Sequence, residues 1–152
     1  MNIREARIDD LINLNHISLA SKRHWGYPED WIENWKDDLS VSQRDLKSQE
    51  VLLMELERKT IGFCSIKDQI DHYELIHLWV LPEFIGKGYG KMLLKKALTS
   101  FILEDKPIRV LADPNAESFY EKQGFMTFDK IESYPKGRFL PMMKMNSFYH
   151  MD

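Results

Sequence analysis

Cysteine is almost absent. With only Cys64 in 152 residues no internal disulfide can form, which suits a reducing compartment, so cytoplasm is the expected location. Long apolar runs are missing too: nothing approaches the ~20 residues that a membrane-spanning helix needs, and no membrane partner is expected. The opening Met1-Asn2-Ile3-Arg4-Glu5 lacks the apolar core of a signal peptide. Neither charge sign dominates. The 21 basic and 24 acidic residues are mixed throughout and leave a net −3, which gives no reason to expect nucleic acid as a partner. Internal repeats, low-complexity tracts and linkers are also lacking.

What is present is the material of a packed core. Hydrophobic residues make up 43% and aromatics 12% of the chain, and its length suits one domain spanning 1–152. A domain of that size buries roughly two-thirds of its unfolded surface. Ile3, Ala6 and Ile8 predict a short opening strand, and Asp9 an N-cap for a helix carrying Leu11, Ile12, Leu14, Ile17 and Leu19. A second helix holds Trp31, Ile32 and Trp35, with Glu29 and Asp30 in its first turn. The segments 51–57 and 61–67 read as a hairpin turning at Arg58-Lys59-Thr60. Two further strands, 125–134 and 139–145, close the chain around Lys136-Gly137.

The stretch from Glu74 to Leu94 carries the strongest pattern. A β-rich run, Leu75 to Leu81, stops at Pro82, which cannot donate to a sheet ladder. A loop with glycines at 86, 88 and 90 follows. Then Leu94, Ala97, Leu98, Phe101 and Ile102 recur at helical spacing, so a helix starts between Lys87 and Lys91. Strand, glycine loop and helix together aim free backbone amides at an anion. Lys87, Lys91 and Lys95 lie four apart, on one side of the first turns, either as a solvated face or as partners of a polyphosphate. Two nucleotide motifs are excluded. A Walker loop needs Ser or Thr where Met92 stands, and the dinucleotide fingerprint needs a glycine where Lys91 stands.

Val80-Leu81-Pro82-Glu83 followed by Gly88-Tyr89-Gly90 resembles the acetyl-CoA-binding loop of the GNAT superfamily of N-acetyltransferases, whose signature is Gln/Arg-x-x-Gly-x-Gly/Ala. One position departs: Ile85 fills the Gln/Arg slot, leaving the diphosphate to backbone amides. A second segment is similar as well. Asn115-Ala116-x-x-Phe119-Tyr120-x-x-x-Gly124-Phe125 matches the part of that superfamily that packs beside the pantetheine arm. The resemblance covers nearly the whole chain. It implies an α/β fold with a mixed, mostly antiparallel sheet of about seven strands and about four helices on its two faces.

The function that the resemblance implies is acetyl transfer from acetyl-CoA to a primary amine of a small molecule, by direct attack in a ternary complex. Two alternatives stay open: an acyl-CoA sensor without turnover, and a protein or peptide N-acetyltransferase. The resemblance implies cofactor contacts from Leu78, Trp79, Val80, Ile85, Gly86, Lys87, Gly88, Tyr89, Gly90, Lys91, Asn115 and Tyr120, with no metal. Tyr120 takes the place of the tyrosine that protonates the leaving thiolate, and a backbone amide near Leu78 to Val80 would hold the oxyanion.

An amine attacks only as its free base, so a proton acceptor is needed. Glu74, eleven residues before Ile85, stands at the spacing of the catalytic glutamate in histone-modifying members of that superfamily, so the resemblance makes it the expected base, with His77 its rival. Regular alternation sets the two on opposite faces unless a bulge intervenes. His24, Trp25 and Tyr27, between the first two helices, are candidates for the acceptor pocket, as is His77. Arg138, in the closing hairpin, could pair with a carboxylate-bearing substrate, with a solvated turn residue the stronger expectation, and Cys64 is expected to be a small buried residue remote from both motifs. A homodimer is possible, with Phe148 and Tyr149 at its interface.

Overall fold

A computed structural model describes residues 1–148. Its strands are β1 (Asn2–Glu5), β2 (Glu50–Leu56), β3 (Lys59–Asp68), β4 (Tyr73–Val80), β5 (Ile108–Leu111), β6 (Met126–Ser133) and β7 (Arg138–Met145). The helices are α1 (Leu11–His24), α2 (Glu29–Leu39), α3 (Gln43–Ser48), α4 (Tyr89–Phe101) and α5 (Glu117–Lys122). All seven strands form one sheet in the order β1-β2-β3-β4-β5-β7-β6. Every neighbouring pair is antiparallel except β4 and β5, which α4 joins as a parallel crossover.

The expected mixed, mostly antiparallel sheet of about seven strands is present, with one helix more than expected. α3 escapes periodicity because it is only six residues long, but its start is well specified. The Asp45 amide donates to the Ser42 hydroxyl (3.1 Å) and the Ser42 amide to the Asp45 carboxylate (2.9 Å), a reciprocal cap. At α1 the expected cap shifts by one residue. A 3-10 turn at Ile8–Asp10 precedes the helix, and it is Asp10, not Asp9, that reaches back to the Arg7 amide (2.7 Å). Both oxygens of Asp10 also take the Arg4 guanidinium at 2.9 Å, which holds its carboxyl below the usual range. The β2–β3 hairpin turns one residue earlier than expected, on Glu57 and Arg58, both at positive φ.

Two apolar layers cover the sheet. On one face α4 buries Leu93, Leu94, Ala97 and Leu98. Leu93 approaches Gly62, where an added Cβ would stand 2.8 Å from the Trp79 carbonyl, so that close strand approach admits only glycine. On the other face α1 and α2 meet. There Ile32, Trp35 and Leu39 gather with Tyr27, Trp31 and Trp79 in a second, smaller core. The chain end also folds back, since Phe148 packs against the main core; Tyr149 lies outside the described residues. Among the described residues no helix is long and apolar enough to cross a membrane.

Candidate active site

Two strands part company to make the cleft. β4 and β5 pair only from Tyr73/Ile108 to Leu75/Val110, although β4 runs on to Val80. Beyond Leu75 its outer edge has lost its neighbour. The Leu81 amide donates to the Ile61 carbonyl (2.8 Å), which fixes the alternation: Trp79 turns its backbone towards β3, while Leu78 and Val80 point theirs into the gap. The Val80 carbonyl there accepts from the Ser21 hydroxyl (2.6 Å). Of the three β4 residues expected to contact the cofactor, Leu78 and Val80 turn their backbone groups into this gap and Trp79 turns its own towards β3.

The cause of the parting lies in β4 itself. Across β3 the partner of Ser65 is His77 but the partner of Ile66 is Leu75, so Ile76 is an extra, bulged residue. Opposed residues share a sheet face. Trp79, His77 and Glu74 sit opposite Phe63, Ser65 and Lys67, and therefore all lie on the α1–α2 side. Glu74 and His77 consequently share a face, where a regular strand would separate them.

Glu74 is half-buried in the paired part of β4, and its carboxylate accepts from the Gln69 side chain (3.3 Å). His77 is buried and fully engaged. Its Nδ1 accepts from Trp79 Nε1 (3.0 Å), and its ring also bonds the Ser40 backbone. Burial brings its pKa down to about 4 against the smaller opposing pull of Asp45. The ring is thus neutral near pH 7 and a poor proton acceptor. It positions Trp79 and does not act as a rival base.

At the end of β4 the chain makes a 3-10 turn, Pro82–Phe84, and enters the glycine loop. Gly86 and Gly88 both have positive φ (81° and 86°), which lets the loop curl back over the helix start. Among the described residues the helix ladder begins with the Met92 amide on the Gly88 carbonyl (3.1 Å). The amides before it belong to the open end of α4, a nest for an anion. Lys87, Lys91 and Lys95 are exposed beside it, and so is Ile85.

Tyr120, on α5, is buried between Phe119 (5.2 Å between ring centroids) and Phe125 (5.5 Å). Burial raises its pKa, and nearby Cys64 and Asp113 raise it further, so the phenol keeps its proton. Cys64 is therefore close to the second motif rather than remote from it. The strand pairing sets it opposite Leu78 on the α4 side. It is fully buried and its thiol is pushed up by desolvation, which makes it a poor nucleophile.

On the α1–α2 side stands a cluster that the sequence did not announce. Asp113 caps the turn before α5, accepting from the Asn115 amide (2.8 Å). The same carboxylate also binds Lys22 Nζ (2.5 Å), accepts from the Tyr27 hydroxyl (3.1 Å) and lies 3.5 Å from Arg138. Asn115, expected to contact pantetheine, donates its side-chain amide to Tyr27 and Asp113, both at 3.0 Å.

Arg138, far from being a solvated turn residue, lies over the rings of Trp35 (4.4 Å) and Tyr27 (5.0 Å). Lys22 lies over Trp35 (4.7 Å), Tyr27 (5.2 Å) and Trp79 (5.8 Å). Burial lowers the Lys22 pKa, partly offset by Asp113; burial would raise that of Asp113, but Lys22 brings it below its ordinary value. His24 and Trp25 stay exposed at the end of α1 and stack on each other (5.1 Å). A signal for Lys22 was available: it continues the buried stripe Leu14, Ile17, Ser18, Ser21 at helical spacing.

Known proteins are similar to this chain in sequence and fold. Residues 47–127, more than half of the chain, match the family model described as the acetyltransferase (GNAT) domain. The spermidine N(1)-acetyltransferase of Thermoplasma acidophilum is 29% identical over 153 aligned residues, which cover 85% of this chain and 90% of that protein. The [ribosomal protein bS18]-alanine N-acetyltransferase of Haemophilus influenzae is 35% identical over 82 residues, half of this chain and 55% of that one. A crystal structure of the PaiA N-acetyltransferase of Thermoplasma acidophilum in complex with coenzyme A superposes with a TM-score of 0.75 at 26% identity, covering 95% of this chain and 98% of that one. The chain belongs to the GNAT acetyltransferase family and is an acyltransferase.

Proposed function

We infer that the protein transfers the acetyl group of acetyl-CoA to a primary amine of a small molecule by direct attack. The observation that carries this reading is the succession along one segment of the unpaired end of β4, the turn Pro82–Phe84 and the open start of α4. The amide nest at Gly86–Lys91 leads to the gap beside Leu78 and Val80, and the Tyr120 phenol stands close to Cys64, the partner of Leu78 across the strands. The nest suits the diphosphate of coenzyme A, held by amides alone because Ile85 offers no donor. Amides of Leu78 and Val80 suit the oxyanion of the tetrahedral intermediate. Tyr120, kept protonated by its surroundings, supplies the leaving thiolate with a proton.

Glu74 accepts the amine's proton through water. It lies four residues from Leu78, about 13 Å along a strand, too far for direct transfer. Buried Cys64, with its raised pKa, argues against a covalent acyl-enzyme.

The test is release of coenzyme A from acetyl-CoA with a panel of primary amines. Turnover on at least one small amine is expected. Binding of acetyl-CoA without turnover on any, or turnover on peptide N-termini alone, would overturn the reading. Glu74→Gln should shift the pH–rate profile of the best acceptor, and an unchanged profile would remove Glu74 as base.

A further inference from the structure

The acceptor side of the cleft holds more positive than negative charge. Lys22, Asp113 and Arg138 meet with side chains only 9%, 7% and 11% exposed. One carboxylate thus stands against two cations, and an arginine stays protonated at any ordinary pH. Burying an uncompensated cation is costly, and stacking on aromatic rings offsets only part of that cost.

The donors are not used up. An ammonium offers three N–H groups and a guanidinium five. Lys22 spends its bond on Asp113, and Arg138 donates to Tyr27 (3.1 Å) while lying 3.5 Å from Asp113. Nor do the spare donors end in the core. Among the described residues the buried side-chain polar atoms left without a partner belong to Gln49, Ser65 and Arg109. Arg138 Nε and Nη1, outside the bond to Tyr27, are not among them and so reach the surface of the cluster, while Lys22 Nζ keeps two N–H groups beyond its bond to Asp113.

Both side chains are also held in place before anything binds. Tyr27 and Trp35 carry both cations, and Trp79 carries Lys22 as well. The rotamer entropy of two long side chains has already been spent, which is what a preorganised anion site requires. The coenzyme's diphosphate does not need these charges, because its nest lies at the start of α4, on the other side of the sheet.

We propose that the acceptor is an amine that also bears a carboxylate, and that Arg138 and Lys22 bind this carboxylate with the donors that Asp113 and Tyr27 leave free. The inference rests on the acetyltransferase reading of the same cleft. A bound carboxylate makes the cluster neutral and fixes the amine relative to the gap at Leu78 and Val80. The same field works against a polycation, so a polyamine such as spermidine is a poor acceptor for this chain.

The test uses the intact protein, acetyl-CoA and matched pairs: glycine, β-alanine and 4-aminobutyrate, each beside its carboxamide, with spermidine added. Rates are compared per free-base amine, which removes the difference in amine pKa within each pair. At least one acid is expected to exceed its amide tenfold or more in kcat/KM. Arg138→Gln should bring that ratio to within about threefold of one, and Arg138→Lys should keep part of it, with acetyl-CoA affinity unchanged in both. If Arg138→Gln melts the fold, Lys22→Gln gives the same readout, and the wild-type ratio stands without any variant.

Ratios near one in the presence of turnover, or preference for spermidine, would overturn the proposal. So would an Arg138→Gln loss equal for acid and amide, which would make the cations serve deprotonation of the amine. No turnover on any amine, with acetyl-CoA still bound, would instead bring down the acetyltransferase reading and this proposal with it.

Discussion

The two ends of the cleft recognise charge by opposite means. At the glycine loop the donors are backbone amides, exposed, and shaped by two left-handed glycines within a few residues of one another. At the acceptor end the charged groups are side chains, buried, with the cations drawn from α1 and the start of β7 and the carboxylate they share from the loop after β5. The first end tolerates changes of side chain because its geometry resides in φ and ψ. The second is vulnerable to them, because each member is held by the others. A local, backbone-built site suits a cofactor that many proteins share, while a dispersed, side-chain-built site can be altered one residue at a time for a particular acceptor.

The largest expected effect falls between these two ends. Tyr120→Phe should depress kcat by roughly 10²–10⁴-fold, the scale of a lost general acid, with the affinity for acetyl-CoA retained. Equal losses in turnover and affinity would make the hydroxyl a binding group and join it to the cofactor end. Next comes Asp113→Ala, which leaves two buried cations facing each other. It should cost about 3–5 kcal/mol in urea unfolding, the usual penalty for breaking a buried charge pair. A cost below about 1 kcal/mol would mean that the cluster is solvated like a surface pair, and the contrast between the two ends would collapse.

His77 ties the acceptor end to pH. Its folded pKa, about 4, lies well below the unfolded value of 6.5, so the unfolded chain takes up the proton first as pH falls. The stability that the neutral ring contributes is complete above about pH 6.5 and is lost progressively towards pH 4, amounting to about 3 kcal/mol. His77→Gln should retain hydrogen-bonding capacity and lose correspondingly less stability than the wild type over that window. Parallel pH–stability curves for the two proteins would show that the ring is solvated and that Trp79 is positioned by something else.

The same contrast explains what was legible in the sequence. Strand order and the glycine loop were readable because proline, glycine and apolar spacing act within a dozen residues. Tyr120 was readable through the motif around it. The bulge at Ile76 was not, since β4 carries no glycine or proline to mark it, and it brought Glu74 and His77 to one face. The Lys22–Asp113–Arg138 cluster was hidden for a different reason. Lys22 and Asp113 are 91 positions apart and Tyr27 and Arg138 are 111 apart, so no local pattern contains them. Arg138 sits beside Gly137 in a turn and reads as solvated until Trp35 and Tyr27 are seen beneath it.

The smallest expected effect probes the backbone end, where Ile85 exposes an apolar side chain beside the nest. Because the amides already form the site, an added cation there should refine binding rather than create it. Ile85→Arg introduces a guanidinium that can pair with the diphosphate from solvent. An exposed ion pair is worth about 0.2–1 kcal/mol, so acetyl-CoA should bind at most about fivefold more tightly at low salt. Screening should erase the gain by 1 M salt, where the Debye length falls to about 3 Å. Turnover at saturating acetyl-CoA should be unchanged, since the chemistry occurs at the far end of the pantetheine arm. A titration at two ionic strengths decides the matter. No gain at low salt, or a gain that survives high salt, would mean that the diphosphate does not lie beside Ile85, and the backbone end of the comparison would have to be sought elsewhere.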